Sequence, residues 1–233
     1  MKINCINPSH VDKTPSMHLY EDGAHCFVCG YYCGLDQVTN EVTIEEIQRL
    51  KKQAPENIEA ALSRIDSLPK KEVRGFNLPC DESGTYLVWP DRSYYKLRRF
   101  DDKPRYIGPK GHRAPLFVIA GSKTTLVVVE GEYNALSLKE VYKKDGGPTI
   151  VSPGSASELN RHTRFYLQFQ KIYVIVDRDA AGVANGVRLR EDLKKKGKRV
   201  VLIALEEDFN DMLQRNGKEE IKKRLKEELG IKT

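Results

Sequence analysis

The sequence predicts a two-part α/β protein: a small cysteine-stapled module, a partly helical connection, and a larger core on a mainly parallel sheet. Three observations predict it. Four of the five cysteines fall between Cys5 and Cys33, in a Gly-dotted stretch without helical periodicity. Residues 41–72 are polar and charged. From Val73 onward, short apolar runs alternate with helical patterns, as expected of strands covered on both faces by helices.

Residues 1–40 cannot bury enough apolar surface alone and need a staple such as a metal. In residues 41–72, Thr43 and Glu46 have the spacing of a capping box opening a helix through Lys52. Pro55 suits the first turn of a second helix with Ile58, Ala61, Leu62 and Ile65 on one face. This segment reads as a linker without chemistry of its own. Residues 73–120 open the core, with strands at Tyr86–Trp89 and Tyr94–Arg98 joined through Pro90, Asp91 and Arg92. Residues 121–233 supply strands at Leu126–Val129, Thr149–Val151, Ile172–Val176 and Val200–Leu205. Between and after them come helices at Ala135–Tyr142, Glu158–Phe169, Ala180–Lys195 and Lys218–Leu229.

The chain has 233 residues, 39% of them hydrophobic and 31% charged, enough for a packed core in a soluble protein. No run of about eighteen apolar residues exists, so no membrane partner is expected. The N-terminus, Met1 to His10, has no apolar signal core, which makes a reducing cytoplasm the default compartment. There, five irregularly spaced cysteines read as metal ligands or free thiols. The net charge is +6, and its distribution is uneven. Arg92, Lys96, Arg98, Arg99, Lys103, Arg105, Lys110 and Arg113 face only Asp101 and Asp102, so this one stretch equals the excess of the whole chain. A concentrated basic stretch points to a polyanion partner, with a solvated surface as the plain alternative.

Cys5 and His10 form one ligand pair, Cys26 and Cys29 a second. Two tight turns that each present a pair suit the tetrahedron zinc prefers, and four protein ligands make the site structural. Cys33, His18 and His25 are substitute ligands at most and read as packing or surface residues; Cys80 reads as a core thiol.

Three acidic clusters each follow an apolar strand: Glu130, then Asp177 with Asp179, then Asp208 with Asp211. In a parallel α/β sheet the carboxyl ends of strands share one edge, where ligands bind. Gathered carboxylates repel one another unless cations are present, and an all-oxygen set suits magnesium. Such sites serve phosphoryl or nucleotidyl transfer. Gly131 and Gly182 are expected to let the backbone approach closely at two of these turns.

These residues resemble the primases of the DnaG type and the primase halves of phage primase-helicases. Cys5-Ile-Asn-Pro-Ser-His10, Asp12-Lys-Thr-Pro-Ser16 and Cys26-Phe-Val-Cys29-Gly30 resemble their Cys-His-Cys-Cys zinc ribbon, with the first pair two residues further apart than in the common bacterial form. Val129-Glu130-Gly131-Glu132 through Asn134 to Leu136, Ile150 to Ala156, Val176-Asp177-Arg178-Asp179 through Gly182, and Asp208-Phe-Asn210-Asp211 resemble the motifs of the Toprim fold. Leu87–Pro90, Lys96–Arg99 and Lys103 to Phe117 resemble the basic primase segment ahead of it.

The resemblance implies a zinc-ribbon domain (1–40), a linker (41–72), a basic N-terminal part of the primase core (73–120) and a Toprim catalytic domain (121–233). It implies a DNA primase that makes short RNA primers on single-stranded DNA from ribonucleoside triphosphates, in a bacterial or phage-infected cytoplasm. One structural zinc would be held by Cys5, His10, Cys26 and Cys29, and one or two Mg2+ or Mn2+ ions by Glu130, Asp177 and Asp179. Asn134, Asp208 and Asp211 are further candidates for metal; Asn134 stands where the family often has Asp and brings no charge. Template or triphosphate would fall to Lys96, Arg98, Arg99, Arg105, Lys110 and Arg113. No Walker phosphate loop occurs, so a separate replicative helicase is the expected partner. Two alternatives use the same parts: a Toprim-type nuclease, and a non-catalytic zinc-dependent DNA-binding replication protein.

Overall fold

The computed structural model describes residues 2–11, 15–20, 23–34, 56–100, 106–142 and 147–229. The capping box of Thr43 and Glu46, Pro55, Asp12, Lys103 and Arg105 lie outside the described residues. Among those described, no helix is long and apolar enough to cross a membrane.

The N-terminal module is a four-stranded antiparallel sheet in chain order: β1 (Lys2–Ile3), β2 (Met17–Leu19), β3 (Gly23–Cys26) and β4 (Tyr32–Gly34). Its buried core is Met17, Leu19, Ala24, Cys26 and Cys33. Cys33 therefore belongs to packing, and its Sγ lies over the Ala24 carbonyl; His25 is buried as well.

Next comes α1 (Ile58–Asp66), capped by Asn57, whose side-chain oxygen accepts from the Ala60 N–H at 3.0 Å. The apolar stripe expected there buries Ala61, Leu62 and Ile65 against Tyr86 and Tyr95. A second antiparallel sheet follows, β5 (Lys70–Val73), β6 (Phe76–Asp81), β7 (Gly84–Val88), β8 (Tyr95–Arg99) and β9 (Tyr106–Ile107), again in chain order. Within the segment read as a linker, α1 and β5 are thus packed elements. The β5–β6 hairpin escaped sequence reasoning because Lys70, Lys71 and Glu72 are all exposed and show no alternation.

The large sheet is built from β10 (Phe117–Ile119), β11 (Ser122–Val129), β12 (Pro148–Ser152), β13 (Lys171–Asp177) and β14 (Arg199–Leu205). Its order is β10-β12-β11-β13-β14, parallel throughout except for β10, which runs antiparallel to β12. The helices are α2 (Glu132–Val141), α3 (Thr163–Tyr166), α4 (Ala180–Lys195) and α5 (Phe209–Leu229). Strand alternation divides the core in two. Val127, Val129, Tyr173 and Ile175 point to one face with Leu138, Met212 and Ile221. Leu126, Val128, Ile172, Val174 and Val176 point to the other with Leu159, Leu189 and Leu193.

Two expected helices differ. The Glu158–Phe169 stretch is mostly a 3-10 helix (Ala156–His162) followed by the single α-turn of α3. The last helix starts at Phe209, nine residues early, and crosses a kink at Gly217 with φ 74°. Gly217 ends one short helix and permits the next, which is why only the second half carried a readable period.

Candidate active site and metal centre

The register of the large sheet sets the carboxylates. Val129 pairs with Ile175 and Asp177 with Leu205, so the ends of β11, β13 and β14 share one edge. Glu130 leaves that edge from β11, Asp177 ends β13, and Asp208 follows β14. The Asp177 N–H donates to Glu130 Oε1 at 3.1 Å, and Asp179 caps α4 by accepting from the Gly182 N–H at 2.7 Å. Asp208 Oδ1 accepts from the Asp211 N–H at 2.8 Å and opens α5 in the same manner. An open cleft of about 710 Å³ lies between Asp177, Asp179, Asp208, Asp211 and the side chains of Arg178, Glu206, Glu207 and Arg215.

Gly182 is required here. A Cβ on it would lie 2.4 Å from Glu130 Oε1 and 2.5 Å from the Asp177 carbonyl oxygen. Gly131 has no such constraint, since a Cβ there would meet nothing nearer than Asn134 Nδ2 at 4.0 Å. Only one of the two expected close approaches therefore exists. The Ser152 hydroxyl donates to the Glu130 carbonyl at 2.9 Å and accepts from the Gly154 N–H at 3.1 Å, tying the β12 turn to the β11 end.

The electrostatics follow from this crowding. Burial pushes Glu130 up to about 7, and the charges of Asp177 and Asp179 add to it against the pull of the Asp177 N–H. Asp177 is also held above the usual carboxylate range, first by burial and then by Asp208, Asp179 and Asp211. A donor set made only of carboxylate oxygens, raised by mutual repulsion, fits a hard divalent cation such as Mg2+. Asn134 spends its side-chain oxygen on the Asn210 N–H at 3.0 Å, holding the β14–α5 turn. Asn210 is fully buried and donates from Nδ2 to the Arg74 carbonyl and to Ser137 Oγ.

The Cys/His group assembles as its spacing predicts. One ligand atom from each of Cys5, His10, Cys26 and Cys29 lies within 4.8 Å of all the others. The Cys5 and Cys29 sulfurs are 3.5 Å apart, as are Cys26 Sγ and His10 Nδ1, which suits the edges of a zinc tetrahedron. Ser16 Oγ stands 3.0 Å from Cys26 Sγ, and the Cys29 N–H points at the same sulfur. Burial raises the Cys26 thiol, but Ser16 and the N–H groups of Cys29 and Val28 outweigh it and bring it to about 6. That favours the thiolate a metal needs.

The basic candidates divide. Lys96 and Arg98 alternate with Tyr95 and Leu97 on β8; Tyr95 and Leu97 face α1, so the two cations face α2. Lys96 Nζ lies 2.5 Å from Glu132 Oε1 and over the rings of Trp89 and Tyr106. Arg113 sits between Glu158 at 3.4 Å and the Tyr32 ring at 4.4 Å. Lys110 is exposed. Two of the expected polyanion contacts, Lys96 and Arg113, thus already carry internal partners. Sequence reasoning missed those partners. Glu132 lies inside the glutamate motif and Glu158 opens a helical pattern, and neither local context marks a partner for a cation 36 or 45 residues away.

Glu158 joins the two parts of the chain. His25 of β3 lies 3.2 Å from its carboxylate, Arg113 and Arg161 flank it, and its side chain is 14% exposed. Burial alone would raise this carboxyl, but Arg113, His25 and Arg161 hold it below the usual range.

Residues 125–219 match the model of the Toprim domain family. This segment is a Toprim domain. No curated protein sequence matches the chain. Among solved structures, the zinc-binding and RNA polymerase domains of the Aquifex aeolicus primase align at 17% identity and a TM-score of 0.48, over 95% of this chain and 77% of that one. The primase fragment of the bacteriophage T7 primase-helicase protein aligns at 17% identity and a TM-score of 0.49, over 95% and 97%. A DNA primase domain from Pseudomonas aeruginosa aligns at 18% and 0.45; the match takes in 76% of this chain and 61% of that domain.

Proposed function

We propose that this chain is a DNA primase that synthesises short RNA primers on single-stranded DNA by metal-dependent nucleotidyl transfer. The observation that carries the proposal is the meeting of Glu130, Asp177, Asp179, Asp208 and Asp211 at one edge of a Toprim sheet, in a chain that also holds a Cys-His-Cys-Cys cluster. At this sheet edge, Glu130, Asp177 and Asp179 would hold Mg2+ or Mn2+, with Asp208 and Asp211 completing the oxygen set. Bound there, the metal supplies a lowered pKa for the attacking 3′-hydroxyl and charge neutralisation at the departing pyrophosphate.

The protein's own part is positioning. The Asp177 N–H fixes the Glu130 carboxylate at the sheet edge, where it can accept the proton of an attacking 3′-hydroxyl and pass it to solvent. Lys96 and Arg98 on β8 present cations toward α2, beside the turn that follows β12, and a triphosphate or template gripped there would take the place of Glu132 on Lys96. Arg99, which alternates to the α1 face of β8, and the exposed Lys110 are further candidates for template contact, as is Arg105 outside the described residues. Cys5, His10, Cys26 and Cys29 would hold one structural zinc, and the ribbon around it would read the template. In this proposal residues 1–40 are the ribbon domain, 41–72 the connection, whose α1 and β5 pack with the basic part, 73–120 the basic part and 121–233 the catalytic part. A separate replicative helicase would supply strand opening, in a bacterial or phage-infected cytoplasm.

The test is primer synthesis on a single-stranded template with four ribonucleotides. Glu130→Gln and Asp177→Asn are expected to abolish magnesium-dependent products while the protein stays folded. Normal priming by either variant contradicts the assignment, and DNA cleavage without ribonucleotides would reassign the cleft to a nuclease.

A further inference from the structure

The Toprim cleft is braced from outside its own fold. At the β5–β6 hairpin tip, Val73 pairs with Phe76 across a two-residue turn of Arg74 and Gly75. Both turn residues have positive φ, 54° and 82°, as the tight hairpin turn matching strand twist requires. Asn is at home in the first of these positions because its short polar side chain bonds the local backbone, and Arg, which lacks that compensation for its β-carbon, is disfavoured there. Arg74 is nevertheless used, and its groups reach the β14–α5 turn.

Its guanidinium lies 3.4 Å from Asp211 Oδ1 and 5.4 Å from the centre of the Tyr133 ring. Its carbonyl accepts from the buried Asn210 Nδ2 at 3.0 Å. Asn210 is locked further: its N–H goes to Asn134, its Nδ2 also to Ser137, and its side-chain oxygen accepts from Gln214. Asp211 is thus a cleft carboxylate in contact with a residue 137 positions earlier in the chain.

We propose that Arg74 is a positioning residue that orients Asp211 toward a divalent cation in the acidic cleft. The inference rests on the metal-dependent reading given above and goes beyond it by assigning a role to the hairpin in front of the Toprim domain. Groups that orient a ligating side chain typically change metal affinity by about 10- to 100-fold when removed.

The experiment is a titration of the full chain, zinc retained and nucleotide absent, with Mn2+ followed by electron paramagnetic resonance of the free ion. Arg74→Asn removes the guanidinium and keeps a residue that suits the turn, so its folding should match the parent. Arg74→Asn is expected to weaken Mn2+ binding roughly tenfold, with Arg74→Lys recovering most of the loss. Asp211→Asn should weaken binding comparably, and the Arg74→Asn/Asp211→Asn pair should be no weaker than Asp211→Asn alone. Unchanged or tighter binding by Arg74→Asn, or full additivity of the pair, overturns the inference. Asp177→Asn separates the two claims. If it abolishes binding while Arg74→Asn is silent, only the role of Arg74 falls; if it leaves Mn2+ binding intact, the cleft itself is not the metal site.

Discussion

Glu130→Gln should make the magnesium-free protein more stable at pH 8. The reasoning starts from the raised carboxyl: burial and the charges of Asp177 and Asp179 take Glu130 to about 7 in the fold, against 4.5 for a free side chain. A group whose folded pKa is raised contributes most stability below its unfolded pKa and loses it as pH rises through the folded value. The stability of the magnesium-free protein should thus decline between about pH 4.5 and 7 on account of Glu130. At about 1.36 kcal/mol per pH unit, the upper limit of that loss is roughly 3 kcal/mol. Glu130 is only partly buried, so solvent screening reduces it to about 1–2 kcal/mol. Gln keeps an oxygen to accept the Asp177 N–H and removes the charge. The expected gain is about 3–6 °C in Tm at pH 8 for a chain of this size, measured by calorimetry without magnesium and with zinc retained. The gain should shrink toward pH 4.5. Adding magnesium should raise the Tm of the parent and leave Glu130→Gln nearly unmoved. An equal or lower Tm for Glu130→Gln at pH 8 would refute the claim that Glu130 sits in a repulsive carboxylate cluster.

Three other outcomes follow from particular contacts. Gly182→Ala places a methyl 2.4 Å from Glu130 Oε1, so it should cost about 1–3 kcal/mol in a thermal melt and displace the carboxylate, with priming lost alongside. Cys26→Ser should reduce bound zinc from one equivalent to near none by atomic absorption and unfold the four-stranded ribbon while the Toprim part still melts cooperatively. Glu158→Gln removes the carboxylate that His25 of the ribbon contacts and should weaken ribbon docking by about 1–2 kcal/mol, read as lost hydrogen-exchange protection in β3. Because the Glu158 carboxyl is held below its usual range, docking in the parent should be full above pH 4.5 and weaken as pH falls below it.

Much of this molecule was legible in the sequence, for reasons that differ by part. Cys5, His10, Cys26 and Cys29 are recognisable because zinc imposes ligand types and spacings that hardly depend on the rest of the fold. Glu130 and Asp177 are recognisable because the runs before them, Leu126–Val129 and Tyr173–Val176, are buried on both faces and end where the charge begins. The alternating contacts were less visible. The β5–β6 hairpin carries three exposed charged residues in a row, and Arg74 reaches Asp211 only after the chain has folded over α2. The +6 stretch showed charge but could not show that Lys96 and Arg113 are matched by Glu132 and Glu158, since those partners lie 36 and 45 residues away. Asn134 stands in the metal motif by sequence, and in the fold its side-chain oxygen also accepts the Asn210 N–H, a contact no local pattern encodes.

The measurement that tests the central proposal most directly is incorporation of labelled ribonucleotides on a mixed-sequence single-stranded DNA template, with zinc content determined on the same preparation. The expected result is short RNA products that require magnesium, present with the parent protein and absent with Asp177→Asn at equal zinc content. Failure of the zinc-loaded parent to form any product with all four ribonucleotides, or equal product from Asp177→Asn, would contradict it.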